Sequence, residues 1–208
     1  IGAYPKRAPA YDGMVLPKQQ SFADWNQSLP VGSASSRRTL QFQMQYPNCT
    51  VHPIRGNVLT RLEKLDRGEY GALILAEAGL QRLGLEHRIT RRFSPAEIVP
   101  AAGQGILAVQ GRAGEYTDLL QRLNDQQAAF CAKIERAVSK ALNGDCTAPI
   151  GAYADLQGEH VTLYGFYAED GVGIKSTLTG SVTQAESLAN TFAEQLKQQV
   201  QAKKEAML

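Results

Sequence analysis

Arginine side chains are the residues of this sequence best suited to binding an anion. Between positions 37 and 92 there are nine arginines and one lysine against five acids. A guanidinium donates hydrogen bonds from a planar fork that matches a carboxylate or a phosphate. The arginines of this stretch therefore favour an anionic ligand, provided that the fold brings some of them together.

The first candidate site is the segment from Ser33 to Arg38, which reads Ser-Ala-Ser-Ser-Arg-Arg. Hydroxyl groups at Ser33 and Ser35 precede the two guanidinium groups of Arg37 and Arg38. At the start of a helix, these groups can hold a carboxylate or a phosphate with help from the helix dipole. An ordinary serine N-cap followed by two solvated arginines explains the same residues equally well.

The second candidate site is Arg55-Gly56-Asn57-Val58-Leu59-Thr60-Arg61. A strand end supplies Arg55, Gly56 allows close approach of the backbone, and Arg61 lies on a flank of the following helix. The alternative is a surface network in which these arginines pair with nearby acids. Those acids are Glu63, Asp66 and Glu69. The residue spacing favours the ligand site.

The three cysteines do not form a metal or disulfide pattern. No two are separated by two residues, and an odd number remains, so we expect neither a disulfide framework nor a thiolate zinc site and place the protein in the reducing cytoplasm. Cys146 follows Asp145 in a loop and is either half-buried or an exposed nucleophile. A nearby carboxylate would raise its pKa. Cys49 and Cys131 are expected to be packing residues.

Hydrophobic periodicity predicts alternating strands and helices in the first half of the chain. The predicted elements are a strand end at 30–33, a helix at 35–46, a strand at 51–54, a helix at 57–66, a strand at 72–76 and a helix at 78–83. This order predicts an open, mainly parallel sheet with helices on both faces. Ligands of such sheets bind at the carboxyl ends of the strands, where both arginine segments lie.

The second half of the chain has a different pattern. After a glycine-rich link at 100–112 with a strand at 106–109, we expect a helix at 119–142, strands at 150–156, 161–167 and 174–178, and a helix from 183 to about 202. Hairpin-type turns separate the three strands. These elements predict a small α+β unit with a three-stranded antiparallel sheet.

Charge and hydropathy exclude two classes of partner. No apolar run approaches the roughly 20 residues of a membrane-spanning helix, so no membrane partner is expected. The formal net charge is +2, and acids lie between the arginines. No continuous basic stripe results, which argues against nucleic acid as a partner.

Together these motifs resemble the hydroxymethylbilane synthase family, also called porphobilinogen deaminase. The resemblance rests on the strings at 31–38, 55–62, 65–70, 78–85 and 100–105, and on Gly144-Asp145-Cys146 with Pro149-Ile150-Gly151. It covers nearly the whole chain in one order. The segments 1–99, 100–122 and 123–208 are similar to the family's second domain, a return to its first domain, and its third domain. The second domain would be a lobe like those of type II periplasmic binding proteins, with a mixed, mainly parallel sheet and helices on both faces.

The resemblance implies a transferase of tetrapyrrole (haem) biosynthesis that joins four porphobilinogen units into a linear chain. The units would be built on a dipyrromethane cofactor bound through a thioether to Cys146. Expected ligands of the cofactor carboxylates are Ser33, Ser35, Arg37 and Arg38, and expected ligands of the substrate are Arg55, Arg61 and Arg82. No metal is expected.

The resemblance also implies that the family's first domain, with its catalytic aspartate, is not part of this sequence. No catalytic residue is therefore expected here, and the chain alone is expected to be inactive. The first domain would come from the same gene or from a separate chain, and the complete protein would be a monomer. Four positions depart from the family pattern: Tyr11, Ala34, Ser36 and Asp145. The alternative is a non-catalytic module of the same fold that binds a polycarboxylate.

Overall fold

A computed structural model describes residues 1–143 and 148–207 of the protein. Its N-terminal sheet contains β1 (Asp12–Val15), β2 (Val31–Gly32), β3 (Val51–His52), β4 (Ala72–Ala76) and β5 (Ile89–Arg92). The helices that accompany this sheet are α1 (Ser36–Gln45), α2 (Val58–Asp66) and α3 (Glu77–Gln81). The strands lie in the order β3-β2-β4-β1-β5.

The N-terminal sheet is evenly mixed, so the prediction of a mainly parallel sheet is wrong. Strand β2 runs parallel to β3 and β4, whereas β1 runs antiparallel to both β4 and β5. The sequence analysis missed β1 and β5. Strand β1 enters between β4 and β5 in the opposite direction, and its short Asp-Gly-Met-Val sequence shows no alternation of apolar and polar residues.

Helices cover both faces of this sheet, as predicted. Met14 of β1 packs in a core with Phe42 of α1, whereas the next residue, Val15, packs on the other face with Leu65 of α2 and Leu80 of α3. Successive side chains of a strand point to opposite faces, so one short strand contributes to two cores.

Side-chain caps fix the starts of the two helices that follow the arginine segments. The Ser35 side chain accepts from the backbone N–H of Arg38 at α1, and the Asn57 side chain accepts from that of Thr60 at α2, at 2.9 Å. These caps are the usual partners of the free N–H groups at a helix start. They hold both helix starts at the carboxyl ends of β2 and β3.

Two predictions in the middle of the chain are wrong. The segment 106–109 is not a strand, since only the isolated bridge between Ala3 and Val109 occurs there. The single helix expected at 119–142 is two helices, α4 (Thr117–Leu123) and α5 (Gln126–Ala141). The chain breaks between them because Asp125 caps α5 by accepting from the N–H of Ala128 at 2.8 Å.

The C-terminal unit is an antiparallel sheet packed against two helices, as predicted. It comprises β6 (Ile150–Gln157), β7 (His160–Glu169), β8 (Val172–Ser181) and α6 (Ala185–Glu205), together with α5. A Cβ atom added to Gly165 of β7 would lie 2.6 Å from the side chains of Phe192 and Leu196. This glycine therefore lets α6 lie directly on the sheet.

The segments on either side of the N-terminal sheet hold the two units together. Arg7, upstream of β1, donates to Glu135 of α5 at 2.6 and 3.1 Å. The backbone N–H of Ala152 on β6 donates to the carbonyl of Pro100 at 2.8 Å. These contacts set α5 opposite the start of α1. Within the described residues, no helix is long and apolar enough to cross a membrane.

Candidate functional site

A cleft of about 1440 Å³ lies between the two units. Ser35, Arg37 and Arg55 line its wall on the N-terminal unit, and Arg136 and Lys140 of α5 line the opposite wall. Among the described lining residues, the cations are Arg37, Arg55, Lys133, Arg136 and Lys140, and none is acidic. The cleft is larger than most single-ligand sites, and its charge suits an elongated polyanion.

A smaller pocket of about 180 Å³ lies between α5 and the start of α6. Its two charged residues, Lys133 and Glu186, form an ion pair with each other. The pocket therefore offers no uncompensated charge, and the larger cleft is the candidate site.

Asp12, at the start of β1, joins Arg37 and Arg38 of α1. Its Oδ2 accepts from Nη1 of Arg37 and its Oδ1 accepts from Nε of Arg38, both at 2.8 Å. The Gln104 amide oxygen accepts from Nη2 of each arginine at 3.2 Å, and its nitrogen donates to Asp12 at 3.0 Å. We call these four side chains the Asp12 cluster.

The Asp12 cluster carries an excess positive charge. Burial by itself raises the pKa of Asp12, but Arg38 and Arg37 outweigh burial, so the pKa lies below its ordinary value and Asp12 is ionised. Burial lowers the pKa of Arg37, and Asp12 opposes that shift. Two guanidinium groups and one carboxylate leave a charge of +1. Because Arg37 also lines the cleft, a ligand carboxylate there would balance this charge.

The two predicted serines have different surroundings. Ser33 is buried, and its hydroxyl donates to the carbonyl of Ser35 and accepts from the N–H of Ser35, at 3.3 Å each. Ser35 lines the cleft and caps α1. Ser33 thus shapes the turn, and Ser35 is the serine of this pair that can meet a ligand.

Of the three predicted substrate ligands, Arg55 lines the cleft, whereas Arg61 and Arg82 are not among the lining residues. Arg38 of the Asp12 cluster is not among them either. Burial lowers the pKa of Arg61, and the positive charges of Arg38 and Arg55 lower it further. Arg61 donates from Nε to the carbonyl of Gly56 at 2.9 Å. Arg82 is exposed and donates to the carbonyl of Gly105 at 3.3 Å. In the alternative network, Glu63, Asp66 and Glu69 would pair with Arg55 and Arg61, but among the described residues Asp66 pairs with Arg88 and Lys18, and Glu69 pairs with Arg67.

Comparison with known proteins identifies the family of the chain. The family model described as "Porphobilinogen deaminase, dipyromethane cofactor binding domain" matches residues 1–119, and the one described as "Porphobilinogen deaminase, C-terminal domain" matches residues 129–198. The chain belongs to the porphobilinogen deaminase family. The matched description assigns dipyrromethane binding to a domain that contains the Asp12 cluster.

Similar proteins named porphobilinogen deaminase come from several bacteria. That of Acetivibrio thermocellus is 50% identical over 194 residues, covering 93% of this chain and 66% of the relative. That of Alkaliphilus oremlandii is 46% identical over 198 residues, covering 95% and 66%. That of Chromobacterium violaceum is 40% identical over 200 residues, covering 94% and 65%. The chain spans about two thirds of the length of these porphobilinogen deaminases.

Sequence reasoning missed the α5 wall of the cleft and the role of Asp12. Lys133, Arg136 and Lys140 are spaced by three and four residues, which places them on one face of the helix. This spacing is present in the sequence, but only the apolar residues of the helix entered the prediction. Asp12 gave no local signal, because its partners lie 25 and 26 positions further along the chain.

The structure describes two of the three cysteines, Cys49 and Cys131, and both are packing residues as expected. Cys49 and Cys131 are buried, and burial raises the pKa of both thiols, that of Cys131 to about 11. Cys146, the predicted cofactor attachment residue, lies outside the described residues, but Asn143 and Ala148 on either side of that segment line the cleft. In the described parts of the chain, no three His, Cys, Asp or Glu side chains are grouped to hold a metal.

Proposed function

We propose that this chain provides the cofactor and substrate cleft of a hydroxymethylbilane synthase, which joins four porphobilinogen units into a linear tetrapyrrole. The observation that supports the proposal is the Asp12 cluster. It has an excess positive charge, and its Arg37 lines a cleft with cations on both walls. The family's likeness to type II periplasmic binding proteins is part of the same proposal. The mixed sheet, with ligand-facing helix starts at its strand ends, supports that likeness.

The charge of the substrate explains why the cleft needs so many cations. Each pyrrole unit carries an acetate and a propionate, so every added unit brings two negative charges. Guanidinium groups can bind successive carboxylates through paired hydrogen bonds. Water excluded between the two units would strengthen each of these contacts. Binding along two cationic walls allows the growing chain to shift without losing all its contacts at once.

Each predicted ligand has a part in this proposal. Ser35, Arg37 and Arg38 hold the carboxylates of the dipyrromethane, with Ser33 fixing the turn that presents them. Arg55 and Arg61 hold the carboxylates of the incoming porphobilinogen. Arg82 stays a predicted substrate ligand, by family resemblance only.

The dipyrromethane fits the residues that are present. When bound through a thioether to Cys146, it would supply the pyrrole α-carbon to which the next unit is joined. The segment with Cys146 begins and ends at cleft-lining residues, Asn143 and Ala148, which supports this attachment. The protein's side chains bind and orient the carboxylates and thereby hold the pyrrole rings in position.

Calorimetric titration of the 208-residue chain with porphobilinogen tests the proposed cleft. We expect binding by the wild-type chain and a loss of about tenfold or more in affinity for the double variant Arg55→Gln/Arg61→Gln, because charge-assisted hydrogen bonds contribute roughly 1.5–3 kcal/mol each. Arg67→Gln/Arg88→Gln makes the same charge change outside the cleft and should bind like the wild type. Absence of binding by the wild-type chain, or equal affinities of both double variants, would contradict the proposal.

A further inference from the structure

Asp12 is built into the sheet more firmly than a surface counter-ion would be. Its side chain is fully buried, and it lies between two strands, with its Cα paired to Ala76 of β4. Its carbonyl accepts from the N–H of Phe93, directly after β5, at 2.9 Å. Strands on both sides therefore fix the position of its carboxylate.

That carboxylate and one amide group determine where two guanidinium groups point. The two oxygens of Asp12 accept from separate arginines, Arg37 and Arg38, and the amide oxygen of Gln104 accepts from both of these arginines. Gln104 is itself held by the carbonyl of Ala10, which accepts from its nitrogen at 2.5 Å. Each guanidinium is thus held by two side chains from different segments of the chain.

We propose that Asp12 is a positioning residue, which together with Gln104 holds Arg37 and Arg38 ready for a ligand carboxylate before the ligand arrives. This inference rests on the proposed function and adds a residue with no ligand role of its own. Side chains that are already in place lose little conformational freedom on binding, so affinity is gained without a new contact to the ligand.

Positioning and simple charge balance predict opposite results for the same substitution. Asp12→Asn removes a negative charge beside the anion site. If Asp12 only balanced charge, the site would become more positive and would bind an anion more tightly. If Asp12 positions the arginines, the loss of both charge-assisted hydrogen bonds frees them and weakens binding.

Titration with a free dipyrromethane that carries the acetate and propionate side chains separates these cases, because Arg37 and Arg38 are the proposed ligands of the dipyrromethane. The variants compared are Asp12→Asn, Gln104→Met and Glu77→Gln. Glu77 is the matched control, because it is also buried, directly follows the residue paired with Asp12, and pairs with an arginine, Arg92. We expect a rise in Kd of about tenfold or more for Asp12→Asn, a smaller rise for Gln104→Met, and no change for Glu77→Gln even where its unfolding midpoint falls.

Gln104→Met keeps both ion pairs of Asp12. If Asp12→Asn does not fold, the Kd of Gln104→Met therefore tests the inference. A Kd that is unchanged or lower in the folded variants overturns the inference while the proposed function stands. A wild-type chain that binds no free dipyrromethane overturns both. Weakened binding in Glu77→Gln equal to that in Asp12→Asn also overturns the inference, because general destabilisation would then explain the effect.

Discussion

Arg7 and Glu135 form a bidentate ion pair across the boundary between the two units, with donor–acceptor distances of 2.6 and 3.1 Å. The Glu135 carboxylate also accepts from the N–H groups of Gly103 at 2.7 Å and Ala154 at 2.9 Å. One fully buried carboxylate therefore ties four segments together. Glu135 lies on α5 between the cationic residues of the α5 wall, so this joint fixes the helix that carries that wall.

Arg7→Met is expected to destabilise the protein strongly. It leaves the Glu135 carboxylate buried without its cation, a change that costs about 3–5 kcal/mol in the free energy of unfolding. Urea denaturation measures this loss. Lys197→Met breaks the exposed pair with Glu194 and should cost less than about 1 kcal/mol. Equal effects of the two substitutions would show that Glu135 is solvated and does not join the units.

Asp12 should make part of the stability depend on pH. Its pKa in the folded protein lies below the ordinary value, because Arg38 and Arg37 outweigh the effect of burial. A carboxyl with a lowered pKa stabilises the fold above its unfolded pKa, about 4, and this contribution is lost as pH falls through the lower folded pKa.

Urea denaturation between about pH 6 and pH 3 measures this dependence. The free energy of unfolding of the wild-type chain should fall below about pH 4, and the fall should be shallower in Asp12→Asn. Glu77→Gln is the control with Asp12 intact. Parallel curves for the wild type and Asp12→Asn would be inconsistent with an ionised, paired Asp12.

The α5 wall should contribute to binding through charge. Arg136→Gln/Lys140→Gln is expected to raise the Kd for porphobilinogen by roughly fivefold, equivalent to about 1 kcal/mol, since both side chains are exposed. The effect should shrink as salt is added. Arg112→Gln/Arg122→Gln changes the net charge equally away from the cleft. If the two double variants bind alike, the α5 wall takes no part in binding.

Cys49 and Cys131 should resist alkylation in the folded protein. Both thiols are buried and have raised pKa values, that of Cys131 to about 11, so little reactive thiolate exists near neutral pH. Mass spectrometry after brief treatment with iodoacetamide at pH 7.5 should find both unmodified, and both labelled after unfolding in urea. Rapid labelling of Cys131 in the native protein would show that α5 does not pack stably on β6.

Local patterns predicted the elements that carry their own signals. Strand β4 was predicted with its observed bounds because five apolar residues stand between turns, and α1 and α2 were predicted from their caps and apolar spacing. Strand β1 escaped prediction because Asp12 is a charged residue in a core position, which is stable only with partners contributed by α1. The run at 106–109 is apolar, yet only Val109 forms a bridge.

The candidate site was predicted in its residues more than in its organisation. Arg37, Arg38, Arg55 and Arg61 were chosen from spacing; the structure joins Arg37 to Arg38 through Asp12 and puts Arg37 and Arg55 in the lining of one cleft. Asp12 and Gln104 hold two of these arginines. The contacts of Gln104 join residues 66 or more positions apart, and no local sequence pattern indicates such contacts. Arg82 was chosen from resemblance and, like Arg38 and Arg61, is not among the residues that line the cleft.

The mass of the peptide from 141 to 175, which contains Cys146, tests the central proposal most directly. Protein produced in cells that synthesise porphobilinogen is digested with trypsin, and this peptide is fragmented. The proposal predicts an adduct of two pyrrole units on the Cys146 sulfur, a positive colour reaction for pyrroles, and no adduct on Cys49 or Cys131. An unmodified Cys146 in protein that is produced with the family's first domain present would contradict the proposed synthase and favour a non-catalytic polycarboxylate-binding module.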